Sequence, residues 1–246
     1  MSTLLQTRGL TLAFGGLVVA NGIDFSLEEG ERLAVIGQNG AGKTTFINIC
    51  TGLIRPTAGQ VSFAGNDITH QSPRRIVRQG MARSFQLPQL FLEHSVRQCL
   101  ELAGMARQAR LPFWRPLGRS ADAAAVDRVL ELVSLREREH EPVSNLPEGQ
   151  RKLLDVAMSL MLQPRLLIMD EPTSGVSSEE KHGVMEILMR ALDEQRVTAI
   201  FVEHDVDIVR RYATRVAAWI SGGIAADGKP DVVLADPTVQ RQVLGI

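Results

Sequence analysis

The segment Gly37-Gln38-Asn39-Gly40-Ala41-Gly42-Lys43-Thr44 constrains this chain more than any other. It reads G-x-x-x-x-G-K-[ST], the phosphate-binding loop that joins a buried strand to a helix. Its glycines let backbone N–H groups turn inward around a polyphosphate, where a Cβ would obstruct them. Lys43 supplies positive charge for the β- and γ-phosphates, and the Thr44 hydroxyl joins a Mg²⁺ shell. The flanks agree. Arg32 to Ile36 is a short apolar run suited to a buried strand. Thr45 to Cys50 begins a helix whose positive end faces the phosphates. The pattern predicts an α/β fold with nucleotide contacts at Gly37, Asn39, Gly40, Ala41, Gly42, Lys43, Thr44 and Thr45.

The 246 residues suit one α/β domain carrying a subdomain. A formal net charge of −1 provides no global pull toward nucleic acid, which counts against such partners. The cysteines, Cys50 and Cys99, suit a reducing cytosol and build neither a disulfide framework nor a metal cluster. The first residues lack the basic-then-apolar pattern of a signal peptide. No run approaches the roughly 18 apolar residues of a membrane span. Any service to a membrane is expected through a partner, from the cytosolic face.

Along the chain, Ile23 to Leu27 alternates as a half-buried strand does, and Pro56 to Gly59 reads as a turn before a strand at Val61 to Phe63. Pro73 opens a helix through Arg78. Residues 95–163 read as mostly helical, broken by a loop at 111–118. Leu166 to Met169 and Thr198 to Val202 are apolar strands, with a helix expected from Ser177 to Leu192 between them. That strand–helix–strand spacing argues for a parallel sheet with crossover helices. Arg215 to Ile220 and Ile224 to Ala226 flank Ser221-Gly222-Gly223 as a hairpin.

A phosphate loop needs a partner carboxylate for Mg²⁺. Asp170 ends the strand Leu166 to Met169, where a buried strand delivers a side chain to the ligand-binding edge of the sheet. Glu171 follows; as neighbours the two cannot both face one metal, so one holds it while the other polarises water. Gln86, after Arg83-Ser84-Phe85, and His204, after the strand ending at Val202, add polar candidates whose weight comes from their order and strand context.

In that order these motifs resemble the ATP-binding subunit of an ABC transporter, over essentially the whole chain. The resemblance implies a P-loop α/β fold with a mixed sheet core, an N-terminal antiparallel β-subdomain and an inserted α-helical subdomain. It divides the chain into 1–86 with 164–246, and 87–163. It makes Glu171 the catalytic carboxylate, Gln86 the Q-loop glutamine and His204 the switch histidine. Thr44, Gln86 and Asp170 become the Mg²⁺ ligands, with ATP and Mg²⁺ as cofactors. Ser174 to Ser177 sits at the D-loop. Phe14 sits where the family stacks an aromatic on adenine, with ordinary strand packing as the alternative.

Further features are similar to the branched-chain amino acid importer ATPases: Phe14 to Leu17, Asp67-Ile68-Thr69, Ala82 to Gln86, Leu90-Phe91, and the tail from Ala235 to Val239 with Leu244-Gly245. Importers of urea or short amides are close alternatives. A soluble ABC-type switch in translation or DNA maintenance fits less well, since the chain has one phosphate loop and no heptad run. The resemblance implies a second ATPase subunit arranged head-to-tail, permease subunits, and indirectly a solute-binding protein.

The chain departs from the family at its signature motif, usually L-S-G-G-Q. Here it is Leu146-Pro147-Glu148-Gly149-Gln150, which the resemblance places on the ATP of the opposing subunit. Pro147 has neither hydroxyl nor backbone N–H. Glu148 brings negative charge toward a phosphate, a repulsion of about 4 kcal/mol at ~4 Å and an effective dielectric of 20. Either the partner's site is degenerate, or Glu148 favours the helix's positive end with Asn145 as N-cap. The first alternative favours a paralogue as partner. The loop from Arg107 to Arg119 carries four arginines around Phe113-Trp114, fitting a solvated loop or a surface near anionic headgroups or a transmembrane partner.

Overall fold

Burial alternates along residues 10–13 and 23–28, within two long antiparallel strands, β1 (Thr3–Phe14) and β2 (Leu17–Glu28). Then follow β3 (Arg32–Gly37), α1 (Lys43–Cys50), β4 (Ala58–Phe63), β5 (Asn66–Asp67), α2 (Pro73–Arg78), β6 (Met81–Ser84), α3 (Val96–Ala106), α4 (Ala123–Leu132) and α5 (Glu148–Leu160). The chain continues through β7 (Leu166–Asp170), α6 (Lys181–Gln195), β8 (Thr198–Val202), α7 (Val206–Tyr212), β9 (Arg215–Ile220), β10 (Gly223–Gly228), α8 (Pro230–Leu234) and α9 (Pro237–Val239). A π-helical turn spans Gln240–Leu244. The computed structural model describes residues 2–15, 17–86, 89–107 and 122–246, with backbone only at Phe14 and Leu17.

Two compact units divide the chain: Met1–Met81 with Thr198–Ile246, and Ala82–Val197. In the first, an antiparallel sheet runs β2-β1-β4-β5, and a second set of strands runs β10-β9-β3-β8. β3 is parallel to both β8 and β9, with Val35 opposite Val202 and Gly37 opposite Trp219. Leu33, Ala34, Val35 and all of β8 are buried, as strands covered on both faces must be. Phe46 of α1 packs between Phe25 and Trp219, with ring centroids 5.3 Å and 4.9 Å away. Burying each such ring contributes about 1.5–3 kcal/mol, so this cluster anchors α1 at the end of β3.

In the second unit β7 is buried along its whole length beside β6. Helices α3 to α6 accompany them. Ser95 and Gln98 form a capping box on α3, and Asp122 caps α4. Arg97, Asp127, Arg136 and Glu139 form a partly exposed ion cluster joining α3, α4 and the turn after it.

Several boundaries differ from those read in the sequence. The second unit takes in β7 and α6 as well as α3 to α5. The helix expected from Ser177 starts at Lys181. Glu171 to Glu180 instead forms successive turns, with the Ser177 hydroxyl donating to Glu180 at 3.0 Å; such local bonding competes with helix formation. β4 begins at Ala58, inside the expected turn. Helix α1 begins at Lys43, two residues before the expected start at Thr45.

Candidate nucleotide site

The phosphate loop is built almost entirely from backbone. Gly42 precedes α1 at φ +103°, and among the described residues no side chain caps the helix, which leaves its first N–H groups to a ligand. A Cβ on Gly42 would lie 2.9 Å from Val19 O, and one on Gly37 would lie 2.6 Å from Trp219 O. Both positions therefore require glycine. The hairpin turn braces the loop: Gly222 N–H donates to Ala41 O at 2.9 Å, and Asn21 N–H to Gly222 O at 3.1 Å. Lys43 is only 6 % exposed, and its Nζ donates to Gly37 O at 2.6 Å and Gln38 O at 3.0 Å. Those carbonyls hold the ammonium at the mouth of the loop, where a phosphate can compete for it. Gln38, Asn39, Gly40 and Thr44 are exposed, Ala41 is buried and Thr45 is half-buried.

His204 belongs to the same unit. It follows β8 as Gly37 ends β3, each two residues beyond the paired Val35 and Val202, so both emerge at one edge of the sheet. Its N–H donates to Glu203 at 3.2 Å, and Asp205 caps α7 beside it. Phe14 ends β1; its side chain lies outside the described residues, as do Arg110, Arg115, Arg119, Phe113 and Trp114. Of the Arg-rich loop, only Arg107 is described, closing α3.

The second unit holds the carboxylates. Asp170 ends β7 and is ion-paired with Arg83 of β6 at 2.9 Å, with side chains 9 % and 8 % exposed. The Arg83 guanidinium also lies 5.1 Å from the Phe85 ring centroid. Glu171 sits at φ +51°, a left-handed backbone that costs a non-glycine residue about 1–3 kcal/mol. Its carboxylate accepts from Gln86 Nε2 at 2.7 Å. The structure thus brings Gln86 and Glu171 together and sets Asp170 against an arginine.

The signature residues open α5. Pro147, not Asn145, occupies the N-cap, and no side chain among the described residues caps the helix; Asn145 belongs to a 3₁₀ turn, Val143–Asn145. Glu148 lies in the first turn and packs over Gly175 of the D-loop segment, its Cγ 3.2 Å from where a Cβ would stand. Gly149 packs near Val176 and Val184. Gln150 Oε1 is buried with no hydrogen-bond partner among the described residues.

The profile of the ABC transporter family matches residues 20–174. The chain belongs to the ABC transporter family. The Archaeoglobus fulgidus protein named probable branched-chain amino acid transport ATP-binding protein LivG is 37 % identical, covering 98 % of this chain and 95 % of its own. The high-affinity branched-chain amino acid transport ATP-binding protein BraF of Pseudomonas aeruginosa is 32 % identical over 98 % of both chains. Among solved structures, the ADP conformation of MJ1267, an ATP-binding cassette of an ABC transporter, superposes with a TM-score of 0.85 at 29 % identity, covering 100 % of both chains. The fold is that of an ABC ATPase, and the chain is a nucleotide-binding ATPase of that kind.

In this ABC ATPase three charged residues near the candidate site escaped the sequence reading as site residues: Arg83, Lys152 and Asp155. Burial pushes the Asp155 carboxyl up to about 6, against the lowering effect of the Phe85 N–H and of Lys152. A signal was present. Lys152 and Asp155 sit three apart among Leu153, Leu154, Val156 and Ala157, so two charges share the apolar face of a helix.

Proposed function

We propose that this chain is the ATP-hydrolysing subunit that powers import of branched-chain and other hydrophobic amino acids through a membrane permease. The observation that carries this reading is the end-to-end likeness to relatives named for that transport, in a chain with phosphate loop and carboxylate pair both present.

The glycine cradle, the open end of α1 and Lys43 bind the triphosphate. The oxygen donors of Thr44, Gln86 and Asp170 would suit a hard divalent cation, and the start of α1, uncapped by any described side chain, suits its phosphate partner. Held by Thr44, Gln86 and Asp170, Mg²⁺ would supply charge neutralisation to the triphosphate. Glu171 polarises the attacking water and takes its proton, with Gln86 holding the carboxylate in place beforehand. His204 stands near the γ-phosphate, and Phe14 stacks on adenine. Two such subunits close head-to-tail, each ATP lying between one phosphate loop and the other chain's Pro147 to Gln150. Glu148 and Pro147 make a paralogue the fitting partner, because two identical copies would compromise both sites. The segment after Gln86 passes the motion to the permease, at the cytoplasmic face of the membrane. Among the described residues no helix is long and apolar enough to cross a membrane.

Purification of the intact complex tests this reading. Permease subunits and a binding protein for leucine-like solutes are expected, together with loss of ATP affinity and turnover in Lys43→Ala. Ribosomes or DNA in place of a permease, or wild-type affinity in Lys43→Ala, overturn it.

A further inference from the structure

Helix α5 follows the signature residues and carries two buried charges one turn apart. Lys152 is 4 % exposed and Asp155 9 %. A buried ammonium persists only where oxygen atoms surround it, and those that surround Lys152 are informative. Its Nζ donates to the backbone carbonyl of Gln86 and, at 3.4 Å, to that of Glu171. Asp155 accepts from the Phe85 N–H at 3.2 Å. One face of α5 therefore grips both backbone segments that present the polar pair, and the Gln86–Glu171 side-chain bond of 2.7 Å closes the ring.

The grip falls on a strained point. Glu171 has φ +51°, and its carbonyl also accepts the Ser174 N–H at 3.1 Å. Such a backbone holds only when its surroundings over-determine it. Two donors on one carbonyl fix the plane of the peptide after Glu171, and with it the direction in which the carboxylate leaves the chain.

We propose that Lys152 is a positioning residue that makes hydrolysis by Glu171 depend on the placement of this chain's own signature helix. It rests on the reading of Glu171 as the base. A shift of α5 when its first turn meets the partner's nucleotide moves Lys152, and through the two carbonyls it moves Glu171 and Gln86 together.

Lys152→Met removes the charge at similar length, and Lys152→Arg keeps it. In the full chain with its partner subunits, Lys152→Met is expected to lower kcat about 10- to 100-fold, the scale on which misplaced groups act. KM and ATP affinity stay within about 2-fold, and Lys152→Arg recovers most of the rate. Without nucleotide, amide exchange at Ser174 accelerates in Lys152→Met, and the replacement has no further effect on rate in a Glu171→Gln background. A kcat within about 2-fold of wild type overturns the proposal. So does a fall in kcat that is matched by lost ATP affinity, is not rescued by arginine, or adds in full to that of Glu171→Gln. Normal turnover in Glu171→Gln alone sinks the reading of the base instead, and the role of Lys152 with it.

Discussion

The phosphate loop and the carboxylate cluster use opposite means to hold charge. From Gly37 to Thr44 the chain offers backbone amides, and Lys43 is the one charged side chain in that stretch. Around Asp170 and Glu171 nearly everything is side chain: Arg83 on Asp170, Gln86 on Glu171, Lys152 and Asp155 on the adjoining backbone. A backbone cradle needs the same glycines at the same spacing wherever it occurs. A side-chain cluster draws its members from β6, α5 and β7, and no fixed spacing links them. Function built from backbone is thus local in the chain, whereas function built from side chains is distributed.

This contrast can be strained experimentally. The largest effect belongs to Glu171→Gln, which removes the proposed base but no part of the cradle: turnover should fall about 10²–10⁴-fold with ATP binding retained, read by steady-state hydrolysis and nucleotide titration. Near-normal turnover shows that another group takes the proton. Next comes Arg83→Leu, which leaves Asp170 buried without its cation. Denaturant unfolding should show a loss of about 3–5 kcal/mol, partly recovered when Asp170→Asn is added. A loss below about 1 kcal/mol, the scale of exposed pairs, means that the pair does not hold the cluster.

On the backbone side, Gly42→Ala forces a Cβ into Val19 O at φ +103°. It should cost about 1–3 kcal/mol of stability and weaken ATP binding by about 10-fold or more, since each tenfold is about 1.4 kcal/mol. Unchanged affinity would mean that the cradle tolerates a side chain and that the contrast is overdrawn. The smallest test is pH. Burial raises the Asp155 carboxyl from 3.8 to about 6, so the native state binds the extra proton. The stability this provides is full below about pH 4 and is lost as pH rises through about 6. Asp155→Asn should therefore gain on wild type by roughly 1–3 kcal/mol between pH 4 and pH 7, measured by unfolding at both values. A gap that does not change with pH removes Asp155 from the charged cluster.

Much of the fold was legible in order along the chain, because apolar runs such as Leu166 to Met169 and Thr198 to Val202 occur only where both faces of a strand are covered. The cradle was legible too, since glycine, lysine and threonine at that spacing answer a geometric demand of the backbone. Helix starts were less so: at Ser177 and Asn145 polar side chains suit a cap and a turn equally, and tertiary packing made both turns. Arg83, Lys152 and Asp155 were invisible as partners. Residue types alone place two charges on a buried helix face, but which carbonyls and carboxylates meet them depends on how α5, β6 and β7 pack, and that is decided only once the chain has closed on itself.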